Sequence, residues 1–336
     1  MPTSIKKTKI VFICLLFSLC CYAGRLAEPP QSTITNGLVS ATLYLPDAVN
    51  GYYQATRFDW AGVFASLNFA GHSFFGPWTP THSPKVNDAV GGPVESFSPI
   101  GYNEAKPGGT FLTIGVGVLR KKSTALFSPF DLYDIVDGGK WTVQSNKDRV
   151  IYSQELHDAA GYAYLYTKTV RLLDGKPQLV LEHSLKNTGT RVIETDVFDH
   201  NFPVIDKEPS GPSIKIFFSV NVKADGSGWG KVAKIERREL TFLKTMDQRD
   251  WLKCDSLQGF GNTAKDYDFR IENHKTGAGM RITADQPVEK VVFWASPTTA
   301  CPEPYIKIKV LPGETMKWKI NYEFYTFTPG AGIKIK

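Results

Sequence analysis

The sequence predicts an all-β fold, on three observations. Most apolar stretches alternate with polar residues at a period of two. Gly or Pro interrupts them at intervals of about ten to fifteen residues, and long amphipathic helices are missing. Aromatic residues make up 12% of the 336, a share that favours strands, and 42% hydrophobic residues suffice for a substantial core.

The chain opens with a secretory pattern over residues 1–23. Lys6, Lys7 and Lys9 form a basic region, Ile10 to Leu19 an apolar run short for a membrane span, and Ala23-Gly24 a small-residue cleavage site. No stop-transfer pattern follows, and Phe17-Ser18-Leu19 before Cys20 lacks the small-residue box of a lipoprotein. Export to the periplasm or the extracellular space is therefore expected, with no stable membrane association after cleavage. The net charge of +6 falls by the three lysines of the signal, which leaves neither a basic stripe nor an acidic tail to suggest nucleic acid. Only Cys254 and Cys301 remain in the mature chain; one disulfide and two free thiols both fit. A CxxC or Cys/His zinc pattern is absent, so no structural metal is expected.

Residues 24–35 read as a linker. Residues 36–46 alternate toward Leu43 and Leu45 before a turn at Pro46-Asp47, and Tyr52–Trp60 leads into a strand through Val63, Ala65, Leu67 and Phe69. Gly71-His72 turns the chain into 73–78. From Thr79 to Pro107 the composition shifts to Pro, Gly, Ser and Asn, the mark of a long ordered loop carrying Phe97 and Tyr102. Residues 111–119 read as one buried strand; the GxG at 115–117 lacks the helix and third glycine of a nucleotide loop. Strands follow at 141–144, 150–156, 162–172 and 178–185, with Asp174-Gly175 as a hairpin turn. Asn187-Thr188-Gly189 turns into a central strand that ends at Asp199-His200-Asn201-Phe202. Residues 208–212 and 225–230 are loops, and 231–253 is charged and ambiguous, with room for a short helix. Strands resume at 269–272, 279–283 and 288–294. The last is the clearest: Met316, Trp318, Ile320, Tyr322 and Phe324 alternate with Lys317, Lys319, Asn321 and Glu323. Residues 328–336 read as a flexible tail.

Chemistry-bearing strings are few. No GxSxG elbow appears, and no two of the six histidines have the spacing of a metal pair. Paired carboxylates of the glycosidase kind stay open, since their separation is not written in sequence. Cys301-Pro302-Glu303-Pro304-Tyr305 holds a carboxylate between two prolines with little backbone freedom; this suits a fixed catalytic base and equally an exposed turn glutamate.

Two of these strings, in this order and spacing, carry a resemblance. Asn187-Thr188-Gly189 through Asp199-His200-Asn201-Phe202 resembles the Asn…His-x-Tyr-Phe-Asn region of aldose 1-epimerases, the galactose mutarotase-like superfamily. Trp294, Cys301-Pro302-Glu303-Pro304 and Val310-Leu311-Pro312-Gly313-Glu314 resemble its closing segment. Asp266-Tyr267-Asp268-Phe269 is similar to its Asp-His-Asn-Phe stretch. The resemblance spans about 36–327 and implies a single large, many-stranded antiparallel β-sandwich.

It further implies catalysis by His200 as acid and Glu303 as base on opposite sides of a sugar, with the imidazole partly protonated near neutrality and no cofactor. Asp266 falls at a substrate-binding position, and Asn201 adjoins the histidine. The N-terminal half departs from the pattern: Gly91-Gly92-Pro93-Val94-Glu95 stands where a Gly-Gly-Ile-Pro segment is usual, with Glu95 where no acid is usual. Arg57 and His72 are then candidates for an arginine and a second histidine that contact substrate. Trp78, Phe97, Phe202 and Tyr305 are candidate stacking platforms. An aldose or oligosaccharide is the expected ligand. A non-catalytic carbohydrate receptor and a sugar lyase or hydrolase on a similar sandwich are the alternatives.

Overall fold

The structure, a computed structural model, describes residues 28–158 and 160–329; the expected signal and residues 330–336 of the expected tail lie outside them. Among the described residues there are twenty-two strands and two single 3₁₀ turns. β1 (Gln31–Thr35) and β2 (Val39–Tyr44) form a hairpin at Asn36-Gly37, where Asn36 Oδ1 accepts from the amides of Leu38 and Val39 at 3.0 and 2.8 Å. Residues 31–35 are thus a paired strand and not linker. β3 (Phe64–Phe69) and β4 (His72–Phe75) complete a four-stranded sheet. The stretch before β3, expected to lead into it as strand, is irregular because its amides bond elsewhere: Asp59 N to Glu95 O at 2.8 Å, and Trp60 N to Gly115 O at 3.1 Å.

β5 (Val94–Phe97) lies inside the expected long loop. All four residues are buried, so no alternation marked it. β6 (Thr110–Thr113) and β7 (Gly117–Arg120) form a hairpin where one strand was expected, with Gly115 at φ 78° in the turn; β8 (Asp134–Asp137) completes their sheet. β9 (Lys140–Ser145), β10 (Arg149–His157), β11 (Ala163–Leu172), β12 (Gln178–Asn187) and β13 (Ile193–His200) follow the alternation closely. β14 (Ile214–Phe218) precedes β15 (Ala233–Glu236), β16 (Glu239–Phe242) and β17 (Leu252–Cys254), so the charged stretch holds three short strands and no helix. β18 (Asp268–Asn273), β19 (Ala278–Ala284), β20 (Lys290–Ser296), β21 (Thr299–Val310) and β22 (Thr315–Thr326) close the chain.

Two antiparallel sheets make the sandwich. One has ten strands, in the order β15-β16-β14-β18-β19-β22-β12-β11-β10-β9; the other has five, β17-β20-β21-β13-β5. Their inner faces share one apolar core in which Val197, Ile306 and Phe293 of the small sheet meet Leu181, Ile320 and Tyr322 of the large one. The outer face of the five-stranded sheet is covered in part by a second apolar cluster, with Phe58, Val94, Phe111, Phe198 and Phe202. Because strand side chains alternate, one face is committed to the core and the other is left for chemistry.

The sheets are also pinned by charge. Lys168 of β11, fully buried, bonds Glu95 of β5 and donates to Ala61 O at 2.9 Å, while His183 Nε2 of β12 lies 2.6 Å from Glu95 Oε1. Burial alone would raise the Glu95 pKa, but Lys168 and His183 outweigh it and hold it at about 2. Asp59, 4.0 Å from Lys168 and bonded by the Tyr166 hydroxyl at 2.9 Å, is pushed by burial to about 7. Removing one partner of a buried pair leaves the other uncompensated. Lys168→Met should therefore cost about 3–5 kcal/mol, read as a lower urea midpoint in circular dichroism; an unchanged midpoint would show that the clamp contributes nothing.

Candidate functional site

The outer face of the five-stranded sheet carries a cleft of about 570 Å³. Period-two alternation supplies its floor: Lys290, Val292 and Trp294 from β20, Glu303 and Tyr305 from β21, His200 from β13, and Lys253 from β17. The register brings the two central groups together. β13 and β21 pair as Ile193↔Val310 down to Phe198↔Tyr305, and continuing that count places His200 opposite Glu303. His200 Nε2 lies 3.2 Å from Glu303 Oε1, with side chains 3% and 6% exposed.

Aromatic rings fix the imidazole. Phe202 stacks on it at 3.6 Å between centroids and 7° between planes, and Trp78 stacks on the far side of Phe202 at 4.9 Å. Phe58 and Trp294 meet the imidazole edge-on, each at 5.7 Å. Phe202 reaches this position from a left-handed backbone at φ 42°, a conformation a bulky residue seldom adopts and one that tertiary packing must enforce. The enforcing neighbour is Gly92, where a Cβ would fall 2.1 Å from Asn201 O. His200 Nδ1 is buried with no protein hydrogen-bond partner, and the ring contacts orient the imidazole.

Electrostatics follow from this burial. Loss of water, helped by the charge of Arg57, drives the His200 pKa well below its ordinary value. Burial pushes the Glu303 carboxyl up to about 7, against the pull of Arg57 and Lys253. The imidazole is therefore uncharged near neutrality, contrary to the partial protonation expected from sequence. The two groups also stand side by side, not on opposite sides of a ligand.

Arg57 also lines the cleft. Its guanidinium bonds Asp88 and lies 4.7 Å over the Phe58 ring and 4.8 Å over Phe130. The other expected contacts are elsewhere. Glu95 is sealed between the sheets by Lys168 and His183. His72 pairs with Asp206 at 2.8 Å on β4, away from the cleft lining. Asp266 caps the 3₁₀ turn Ala264–Asp266, accepting from Thr263 N and Oγ1 at 3.1 and 2.8 Å. Asn201 is fully buried, bonded by the Tyr322 hydroxyl at 2.8 Å and donating to Pro302 O at 3.3 Å. Among the aromatic candidates, Trp78, Phe202 and Tyr305 line the cleft, while Phe97 packs between the sheets against Tyr166 and Trp318.

Sequence reasoning missed Asp88, Trp294, Lys253 and Lys290. The alternation of 290, 292 and 294 against buried Val291, Phe293 and Ala295 was the available signal for two of them. Cys254 and Cys301 are both free and buried. Among the described residues no cluster of three or more His, Cys, Asp or Glu is placed to hold a metal ion.

The sequence matches no family model and no curated protein. Solved structures match the fold throughout. A galactose mutarotase related enzyme from Lactobacillus acidophilus superposes with a TM-score of 0.55 at 12% identity, over 89% of this chain and 98% of its own. An aldose epimerase homologue from C. elegans gives 0.54 at 13%, over 88% and 98%. A galactose mutarotase-like protein from Clostridium acetobutylicum gives 0.54 at 12%, over 88% and 95%. The architecture is thus a large antiparallel β-sandwich with a cleft on the outer face of its smaller sheet. It is the galactose mutarotase-like fold.

A carboxyl whose pKa is raised on folding binds more protons in the folded chain, so its contribution turns unfavourable as pH climbs from the unfolded value near 4.5 to about 7. Glu303→Gln should then match the wild type near pH 4 and exceed it by about 3 kcal/mol at pH 8. Thermal unfolding at the two pH values reads this directly, and a constant difference would contradict the raised value.

Proposed function

We propose that the protein interconverts the anomers of a free aldose by acid–base opening and closing of the pyranose ring. The observation that carries this reading is the 3.2 Å contact between His200 and Glu303 on the floor of an aromatic-lined cleft. The names borne by structures of the same fold, aldose epimerase and galactose mutarotase, agree with it. Of the cleft's other two carboxylates, Asp88 is bound to Arg57 and Asp255 to Lys253.

Ring opening requires a base at the anomeric hydroxyl and an acid at the ring oxygen. One proton shared by the pair meets both needs. Burial favours its residence on Glu303, so we assign Glu303 as the acid and neutral His200 as the base, the reverse of the assignment drawn from sequence. His200 Nε2 takes the hydroxyl proton, Glu303 delivers its proton to the ring oxygen, the C1–O5 bond breaks and C1 becomes a carbonyl. Rotation about C1–C2 and return of both protons give the other anomer. The same sequence needs no metal or organic cofactor.

Polarimetry or proton NMR on freshly dissolved α-glucose and α-galactose measures the rate. His200→Ala and Glu303→Gln should each lower turnover by about 100- to 10,000-fold with the fold retained. Sugar binding without acceleration by the wild type would instead favour a receptor. The reactive state carries one proton on the pair, so kcat/KM should fall about tenfold per unit as pH rises above 7, and a rate that keeps rising through that region would contradict the proposed proton count.

We also propose that the mature chain works outside the cytoplasm, on the strength of the pattern in residues 1–23. N-terminal sequencing of the exported protein should start at Gly24; a start at Met1 would refute cleavage.

A further inference from the structure

The cleft is larger than one sugar. A hexose has twelve non-hydrogen atoms and fills on the order of 200 Å³ at the density of a protein interior, whereas the cleft holds about 570 Å³. The His200–Glu303 pair is nearly closed off from solvent at the floor, so a pyranose reacting there occupies the bottom and leaves the outer part of the cleft empty.

That outer part has aromatic walls. Trp251 and Phe130 both line the cleft, and they are 55% and 67% exposed. Single exposed apolar side chains are ordinary, but these two line one cleft, and the Phe130 ring and the backbone at Trp251 are both held. The Phe130 ring lies under the Arg57 guanidinium, which is itself bonded to Asp88. Trp251 leads directly into β17, which pairs with β20 and is tied to the 225–230 loop. There Lys253 N donates to Ser227 O at 3.1 Å and Trp229 Nε1 to Lys253 O at 3.0 Å. Gly228 comes so near that a Cβ would fall 2.2 Å from the Trp251 carbonyl oxygen. An aromatic ring presents a flat apolar surface to the C–H face of a pyranose. Beside these rings stand Lys253, paired with Asp255 at 2.7 Å, and Lys290, seated over the Tyr305 ring at 4.3 Å; both offer donors to hydroxyls.

We propose that the site takes the reducing end of an oligosaccharide, with the reducing sugar on His200 and Glu303 and the next sugar stacked against Trp251 and Phe130. This rests on the anomer-interconversion reading and extends it to chain length. The chemistry sets the orientation: C1 must keep its free hydroxyl at the floor, so the second sugar is attached through another hydroxyl and points to the mouth.

The test compares each monosaccharide with disaccharides that carry it at the reducing end: glucose with maltose, cellobiose and lactose, and galactose with galactobiose. Mutarotation is followed by NMR for the wild type, Trp251→Ala and Phe130→Ala, with circular dichroism as the check on folding. For at least one pair kcat/KM should favour the disaccharide about tenfold or more, and both variants should bring that ratio close to one. A ratio at or below one for every pair overturns the proposal, as do variants that slow both members of a pair equally. Failure of all sugars to equilibrate faster sinks the anomerase reading instead. Calorimetric titration of the same pairs into the His200→Ala protein then decides chain length by itself: tighter disaccharide binding by about tenfold supports the two-sugar site, and equal affinities refute it.

Discussion

Strand β13 has to satisfy opposite demands on its two faces, and the rest of the site depends on how it does so. At its last residues the inner face presents Asp199 to the interior and the outer face presents His200 to the cleft. Neighbouring β5 follows the same rule, with Glu95 inward and Val94 outward, and the strands pair as Asp199↔Glu95 and His200↔Val94. The ionic clamp from Lys168 and His183 to Glu95 therefore holds the edge of the small sheet against the large one directly behind the reactive pair. Asp199, bonded by Tyr322 and lifted far above the usual carboxylate range by burial and the nearby Glu95 charge, adds a neutral anchor to the same layer. The interior is an unusual place for so many titratable groups. Their compensation there is what allows the outer face to carry functional side chains without loss of register.

On that outer face, exclusion of water does most of the chemical work. Four rings around His200 remove the solvation an imidazolium would need, and the closed floor does the same to the Glu303 anion. Both groups are pushed toward their neutral forms, which is the condition under which one proton can be exchanged across the pair at little electrostatic cost. Arg57 acts oppositely on the two groups, since its charge opposes the rise at Glu303 and deepens the fall at His200, while Asp88 partners the arginine.

Much of the fold was legible because its strands obey simple alternation. β22 and β10 to β13 each bury one face, and period two is enough to find them. β5 was not legible: buried on both sides and preceded by Gly-Gly-Pro, it reads as loop. The 231–253 stretch failed for the opposite reason, since its short strands carry charge on their exposed positions. The pairing of His200 with Glu303 came from a resemblance and not from local strings, because what joins them is cross-strand register, a long-range property. Glu95 and Asn201 looked like site residues for being polar beside the right motifs. Both are interior, one bound by a lysine and a histidine, the other by a tyrosine and a carbonyl. Asp266 and His72 likewise have other partners: the capping Thr263, three positions away and readable as a local pattern, and Asp206, brought from 134 positions away by the fold.

The two prolines around Glu303 act through what they lack. β21 lies inside its sheet, between β20 and β13, where a proline withholds a ladder hydrogen bond. The paired register with β13 stops at Tyr305, just short of Pro304, and Asn201 reaches across to Pro302 O with its side chain. Neither neighbour of Glu303 in the chain carries an amide hydrogen, so no backbone donor beside it offsets the burial that lifts its carboxyl.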